Sequence, residues 1–223
     1  MILFLQLSCN ATATSWLRSP FFVEFWLRLS CSTLKGGATL PDLSTRKPAD
    51  VIAFHGHDCP GLTIGYRAAL IALRELEIQR AQDEELVAIC ETDACGVDAV
   101  QFITGCTLGK GNLILRDWGK QVFSFGRRSD GKMLRIALRH RPRENKPDSE
   151  EARRERIQHL LTAPEEEIFD VRWVDKPLPS QARIFQSVQC SQCGEGVMEA
   201  RARLRDGKPL CPECYGEPYS RFC

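Results

Sequence analysis

Residues 54–76 read "FHGHDCPGLTIGYRAALIALREL". The second half of this stretch is a helix by its spacing. Leu62, Tyr66, Ala69, Leu73 and Leu76 recur at intervals of four and three, which lines them along one face. Pro60 suits the first helical position, where its missing N–H would have no intrahelical partner. The first half is unusual in chemistry. Two of the chain's four histidines, an aspartate and a cysteine fall directly before Pro-Gly. Proline biases the preceding Cys59 toward extended backbone, and the N–H groups of the helix mouth favour an anion there. If the segment is extended throughout, His55, His57 and Cys59 point the same way. If the chain turns at Gly56, the His55 ring points elsewhere and serves packing or support.

The signals on either side set the fold class. "PDLSTRKPAD" before the cluster reads as a polar lead-in. "LVAIC" (Leu86–Cys90) is short and apolar, a buried strand. "GVDAVQFITG" places Val97, Val100 and Ile103 on one side of a second helix. Asn112–Trp118, Lys120–Phe125 and Lys132–Leu138 read as three strands, with "SDG" turning between the last two. Helices followed by an antiparallel run imply an α+β core with an antiparallel or mixed sheet. Polar residues from Arg141 to Ser149 form a connector. "SEEARRERIQHLLTA" is then a charged helix whose apolar face is Ile157, Leu160 and Leu161. Ile168–Val174 and Ala182–Val188 read as strands flanking "DKPLP". The organisation expected is a tail (1–45), an α+β core (46–140), connector helix and strands (141–186) and a cysteine-rich end (187–223).

Composition narrows the class. Of 223 residues, 43% are hydrophobic and 26% charged, with net charge +1. That describes an ordinary globular chain with no overall call for nucleic acid or an anionic surface. Eleven cysteines, an odd number partly in metal-type spacings, suit metal thiolates in a reducing cytoplasm better than a disulfide framework. The tail has no basic region before its first apolar run, which is too short for a signal peptide. Its second run, Phe21–Leu29, is broken by Glu24 and Arg28 and spans no membrane. The favoured reading of this segment is a short amphipathic helix or an untidy tail; the alternative, suggested by the lack of any methionine between Met1 and Met133, is a true translation start near Leu34 or Leu43.

The strongest chemical signal is at the end. Cys190-Ser-Gln-Cys193 and Cys211-Pro-Glu-Cys214 are two C-x2-C turns with seventeen residues between them. Each turn sets two thiolates on one face, and two turns close a tetrahedron. With all four positions filled by protein, the site is structural. Zinc is expected; iron in an S4 site or two disulfides are the alternatives. Basic residues in this segment are balanced by acidic ones without interleaved aromatics, which argues against nucleic-acid contact.

A second cluster is subtler. "ETDACGVD" puts Cys95 just before the second helix, so Cys59 and Cys95 both stand at helix mouths, and with His57 they make a metal or nucleophile pocket. Cys106, in "TGCTLGKGN", lies at the far end of that helix. All three cysteines also suit small core positions. "GCTLGKG" is not a phosphate loop: three residues separate Gly105 from Gly109 instead of four, and Gly111 stands where a magnesium-binding hydroxyl belongs.

"FHGHDCPGLTIGYRAA", "ETDACGVDAVQFITGCTLGKGNLILRDWGKQVFSF" and "CSQCGEGVMEARARLRDGKPLCPECY" together resemble the FmdE family, named for the E-subunit of formylmethanofuran dehydrogenase, in the family's order and over about Ala49–Tyr215. The last of the three stretches also resembles the four-cysteine finger of DksA/TraR-type proteins. The resemblance implies an α+β core, a zinc finger, intertwined dimers and a shared core metal or active-site pocket. It maps His57 and Cys59 to an HGH-x-CPG segment, Cys95 to an acidic cysteine loop and Cys106 to a TGCT-x-GKGN segment, giving His57, Cys59, Cys95 and Cys106 as the core metal set. The family is associated with a molybdenum or tungsten enzyme that interconverts carbon dioxide and a formyl carrier. No fingerprint for molybdopterin, flavin or an iron–sulfur relay is visible here.

Three functions compete: an accessory metal-binding protein of a redox enzyme, a metal- or thiol-dependent enzyme using Cys59, His57 and Cys95 on a small molecule, and a regulator that uses its finger for protein contact. The first is favoured. The slender connector and finger have little core of their own and are expected to bury their faces against a second copy. Sedimentation should therefore show a dimer that dissociates on dilution; a monomer at every concentration would overturn this.

Overall fold

Pro60 does open a helix. A computed structural model describes residues 47–140 and 149–217 of the chain. The expectations for the tail, including the translation start, lie outside those residues. Helix α1 (Pro48–His55) precedes α2 (Pro60–Glu75), and α3 follows at Gly96–Thr104. α1 occupies the expected polar lead-in. Only Val51 of its residues is buried, so no apolar period marks it. Local chemistry forms it instead: Pro48 fills the first turn, and the Lys47 N–H donates to Asp50 Oδ2 at 2.9 Å. Gly56 ends it in the left-handed region, φ 96°, with its N–H on the Ile52 carbonyl.

Five strands form one mixed sheet: β1 (Leu86–Cys90), β2 (Leu113–Leu115), β3 (Val122–Arg127), β4 (Met133–Leu138) and β5 (Phe169–Val174). Their order is β2-β1-β3-β4-β5. β1 and β2 are parallel, joined through α3, and the other pairs are antiparallel. The Ala88↔Phe125↔Leu134 and Cys90↔Phe123↔Ile136 registers put these residues on one face. That face packs on α2 and α3, and Phe123 and Phe125 are fully buried; each such ring contributes about 1.5–3 kcal/mol. Strand β2 is shorter than expected because the chain turns at once, with Trp118 N–H on the Arg116 carbonyl.

The charged helix is α4 (Glu150–Thr162), capped by Ser149. Ile157 and Leu160 are its buried residues, and Arg67 of α2 closes its far end on the carbonyls of Leu160 and Ala163. A short turn, α5 (Glu165–Ile168), leads into β5. The connector thus supplies the sheet's edge strand. Beyond β5 the chain crosses the opposite face, where Leu178 lies over Gly126 beside Val87. The strand expected at Ala182–Val188 is reduced to β6 (Ser187–Gln189). Side chains take the backbone at its start instead: Glu84 accepts from Ala182 N–H, and Arg128 donates to the Pro179 and Ser180 carbonyls just before it.

The end of the chain is two small hairpins: β6 with β7 (Gly196–Met198), and β8 (Arg203–Arg205) with β9 (Lys208–Leu210). Asp206 and Gly207, both at positive φ, make the two-residue turn of the second. Helix α6 (Pro212–Tyr215) follows. Among the described residues, no helix is long and apolar enough to cross a membrane.

The helices α2 and α3 meet at a tight crossing in the core. A Cβ on Gly65 would overlap the backbone of Gly96. Gly65→Ala should force the helices apart and lower stability by about 1–3 kcal/mol, the usual cost of overpacking. Gly109, with nothing within 4 Å of its Cβ position, is the control. Equal melting temperatures for Gly65→Ala and wild type would refute the contact's importance.

Candidate metal centres

The turn at Gly56 decides the core cluster. It reverses the chain after α1, yet His55 stays in the cluster. The His55 and His57 rings lie 4.4 Å apart between centroids. Two residues later Cys59 caps α2, its Sγ accepting the Leu62 N–H at 3.4 Å. Cys95 stands at the N-cap position of α3, without a side-chain cap bond, after a turn in which Thr92 Oγ1 accepts the Ala94 N–H. The glycine contact between the helices brings the two caps together. His55, His57, Cys59 and Cys95 each offer one ligand atom, and all these atoms lie within 4.8 Å of one another. Cys59 is buried, His55 and Cys95 half-buried and His57 exposed. Arg153 of α4 donates to the Asp58 carbonyl and ties down the loop between His57 and Cys59.

The donors fit a metal ion. His55 Nδ1 is 2.7 Å from Asp98 Oδ2, while its buried Nε2 has no hydrogen-bond partner. A buried orphan nitrogen is costly unless something accepts its lone pair or proton. An imidazole held by a carboxylate at one nitrogen, with the other facing thiols, is the usual arrangement of a histidine ligand. Zinc takes sulfur at about 2.3 Å and nitrogen at about 2.0 Å, so these four atoms would close on one ion with small side-chain movements. Burial, and next the neighbouring Cys59 thiol, push the Cys95 thiol up.

Cys106 is not in this group. It is fully buried at the far end of α3, and its thiol donates to the Leu86 carbonyl at 3.4 Å. Burial pushes it up to about 11, and Cys90, also in the core, to about 12. His55 stands where Cys106 was expected, because the chain places the TGCT segment at the opposite helix end. The neighbouring "GKGN" is a structural latch. Lys110 Nζ donates to the carbonyls of Ala81, Gln82 and Asp83, and buried Asn112 donates to Asp83 and Leu86 and accepts from Thr107. The sequence shows Asp98 near Cys95 but not its pairing with His55, because 43 residues separate the two. The position of Asp98 one turn after Cys95 is the only hint.

The end cluster is the second group: Cys190, Cys193, Cys211 and Cys214 also lie with ligand atoms within 4.8 Å of one another. Each C-x2-C turn aims backbone N–H groups at sulfur. Cys190 Sγ accepts the Cys211 N–H at 3.3 Å and Cys211 Sγ the Cys214 N–H at 3.4 Å. The N–H groups of Cys193 and Cys211 hold the Cys190 thiol down, at about 6. Four sulfurs, two of them accepting backbone N–H bonds, fit zinc in a structural site.

Known proteins share both parts. Residues 54–170 match the family described as FmdE, Molybdenum formylmethanofuran dehydrogenase operon. Residues 183–220 match the Prokaryotic dksA/traR C4-type zinc finger. A probable S-adenosyl-L-methionine-binding protein of Archaeoglobus fulgidus is 34% identical over 195 residues, which is 75% of this chain and 52% of that protein. The chain thus spans about half the length of that relative. The crystal structure of a tungsten formylmethanofuran dehydrogenase FmdE-like protein from Syntrophus aciditrophicus aligns with TM-score 0.59 and 26% identity, over 82% of this chain and 100% of that one.

The Asp98–His55 pair yields a test. Asp98→Asn should weaken metal binding at the core cluster about 10–100-fold with little change in fold, and Cys106→Ser should leave that affinity unchanged. Chelator competition with both variants reads this; undiminished affinity in Asp98→Asn would remove the carboxylate from the site.

Proposed function

The chain belongs to the FmdE family, and from that premise we propose that it is a two-site metalloprotein acting as an accessory protein of a molybdenum or tungsten redox enzyme. The finger cysteines Cys190, Cys193, Cys211 and Cys214 hold structural zinc. His55, His57, Cys59 and Cys95 hold a second divalent ion. The observation that carries the second site is the buried, unpartnered His55 Nε2 on a ring whose ligand atom lies within 4.8 Å of two thiols and of His57. When bound, the ion supplies positive charge that keeps both thiols ionised. The chain's own contribution is orientation: Asp98 fixes the His55 ring, Arg153 fixes the loop, and the two helix mouths present sulfur.

The accessory role is supported by the family's description and by the naming of the Syntrophus protein. The protein works in the cytoplasm as a homodimer, with the finger as its docking element. A second reading has one observation in its favour. His57 is the exposed donor, so the cluster opens to solvent on that side, as the site of a metal- or thiol-dependent enzyme must. Given the name of the Archaeoglobus relative, S-adenosyl-L-methionine is the first compound to titrate.

Metal counting tests the two-site reading. Wild type should carry two ions per chain. Cys193→Ser should lose the finger ion and unfold roughly the last 35 residues, since small metal domains draw their folding energy from the ion. Cys59→Ser should lose the core ion and keep its fold, because serine still caps α2. Cys90→Ser should lower stability without touching metal content. Identical metal content in Cys59→Ser and wild type would return the core cluster to simple packing. Anaerobic co-purification with a molybdenum or tungsten protein supports the accessory role; its absence, with turnover of a small molecule, supports the enzyme.

A further inference from the structure

Two thiols of the core cluster sit side by side on the mouths of two helices that cannot move apart easily. Cys59 and Cys95 Sγ lie within 4.8 Å of each other. The Cβ position of Gly61 is 3.5 Å from Cys95 Cβ and 4.0 Å from Cys59 Sγ, so both cysteines press on the same point of α2. Their backbones are fixed by the Gly65–Gly96 contact and by the Cys59 cap. A disulfide needs sulfurs about 2.05 Å apart and Cβ atoms about 3.5–4.5 Å apart. Closure then requires the half-buried Cys95 side chain to rotate toward Cys59. Exposure differs usefully: Cys59 is buried, while Cys95 is open enough for a small reagent.

The geometry points to a dithiol–disulfide exchange activity at Cys59 and Cys95, with a low-molecular-weight disulfide as the substrate. This shares its residues with the metal site proposed above, so bound metal and exchange exclude one another. In the first step Cys95 sulfur attacks one sulfur of the small disulfide. A Cys95–substrate bond forms, the substrate's S–S bond breaks, and one small thiolate leaves, taking up through solvent the proton that Cys95 gave up. In the second step Cys59 sulfur attacks the Cys95 sulfur of that mixed disulfide. The Cys59–Cys95 bond forms, the Cys95–substrate bond breaks, and the second small thiol leaves carrying the proton given up by Cys59. The protein is oxidised by two electrons and the disulfide reduced by the same two. The Leu62 N–H on Cys59 Sγ holds that sulfur ready for the second step. Cys90 and Cys106 stay out of the reaction, buried in the core.

Oxidised glutathione is the probe. The full chain is treated with it under anaerobic conditions, zinc-loaded or after chelation, then alkylated and digested without reduction. Mass spectrometry of the chelated wild type should find Cys59 joined to Cys95 and no glutathione retained on either, with Cys90 and Cys106 reduced. Cys59→Ser should instead trap glutathione on Cys95, because the resolving sulfur is gone. The zinc-loaded protein should keep both thiols. Chelated wild type in which both cysteines remain free, or in which glutathione stays on Cys95, would overturn the exchange. A Cys59–Cys95 bond formed equally with and without zinc would uphold the exchange and overturn the metal reading, so the two fail separately.

Discussion

The backbone contact between Gly65 and Gly96 is the constraint on which the core site depends. Helices pack at a separation set by the side chains between them. With no side chain at Gly65 or Gly96, α2 and α3 meet backbone to backbone at the start of α3. Both helices begin near this crossing, so the residues at their N-cap positions, Cys59 and Cys95, come within 4.8 Å of each other at the sulfurs. A larger residue at the crossing would push the helices apart, and the two mouths with them. Close packing and site geometry are here one property. The fully buried Phe123, its ring against the Gly96 position, backs the crossing from the sheet.

Orientation comes from outside that crossing. α1 buries one residue and adds little to the core, yet it carries His55 to the cluster and to Asp98. α4 binds the other side of the same loop through Arg153 and is itself fastened to α2 by Arg67. The loop Gly56–Cys59 is therefore held from three helices. The chain can be short and rich in reactive groups there because its geometry is imposed by neighbours, an arrangement in which supporting contacts tune the ligands.

The segment "TGCTLGKGN" shows how a motif of reactive residues serves structure. Lys110 directs its ammonium to three carbonyls, and Asn112 uses both ends of its amide on a buried turn. The ammonium is thereby removed from any role with a diffusing phosphate. Cys106, its thiol on the Leu86 carbonyl, belongs to the same latch. What this segment secures is the approach to β1, whose far end leads into the Cys95 loop.

By itself the sequence determined what rests on local spacing. The 3.6-residue period of Leu62, Tyr66, Ala69, Leu73 and Leu76 fixed α2, Pro60 fixed its start, and "LVAIC" fixed β1 to the residue. The two C-x2-C turns defined the finger cluster, since a knuckle is complete within four residues. Only tertiary structure decided what depends on meetings between distant segments. That β1 and β2 run parallel follows from α3 crossing between them, and that β5 edges the core sheet follows from a pairing with β4 across a long connector. Cys106 gave way to His55 because Cys106 stands at the far end of α3, while α1 carries the His55 ring to Asp98 near the start of that helix. Asp98 became the partner of His55 through a contact 43 residues long, for which no period or spacing exists; only the packing of α1 against α3 produces it.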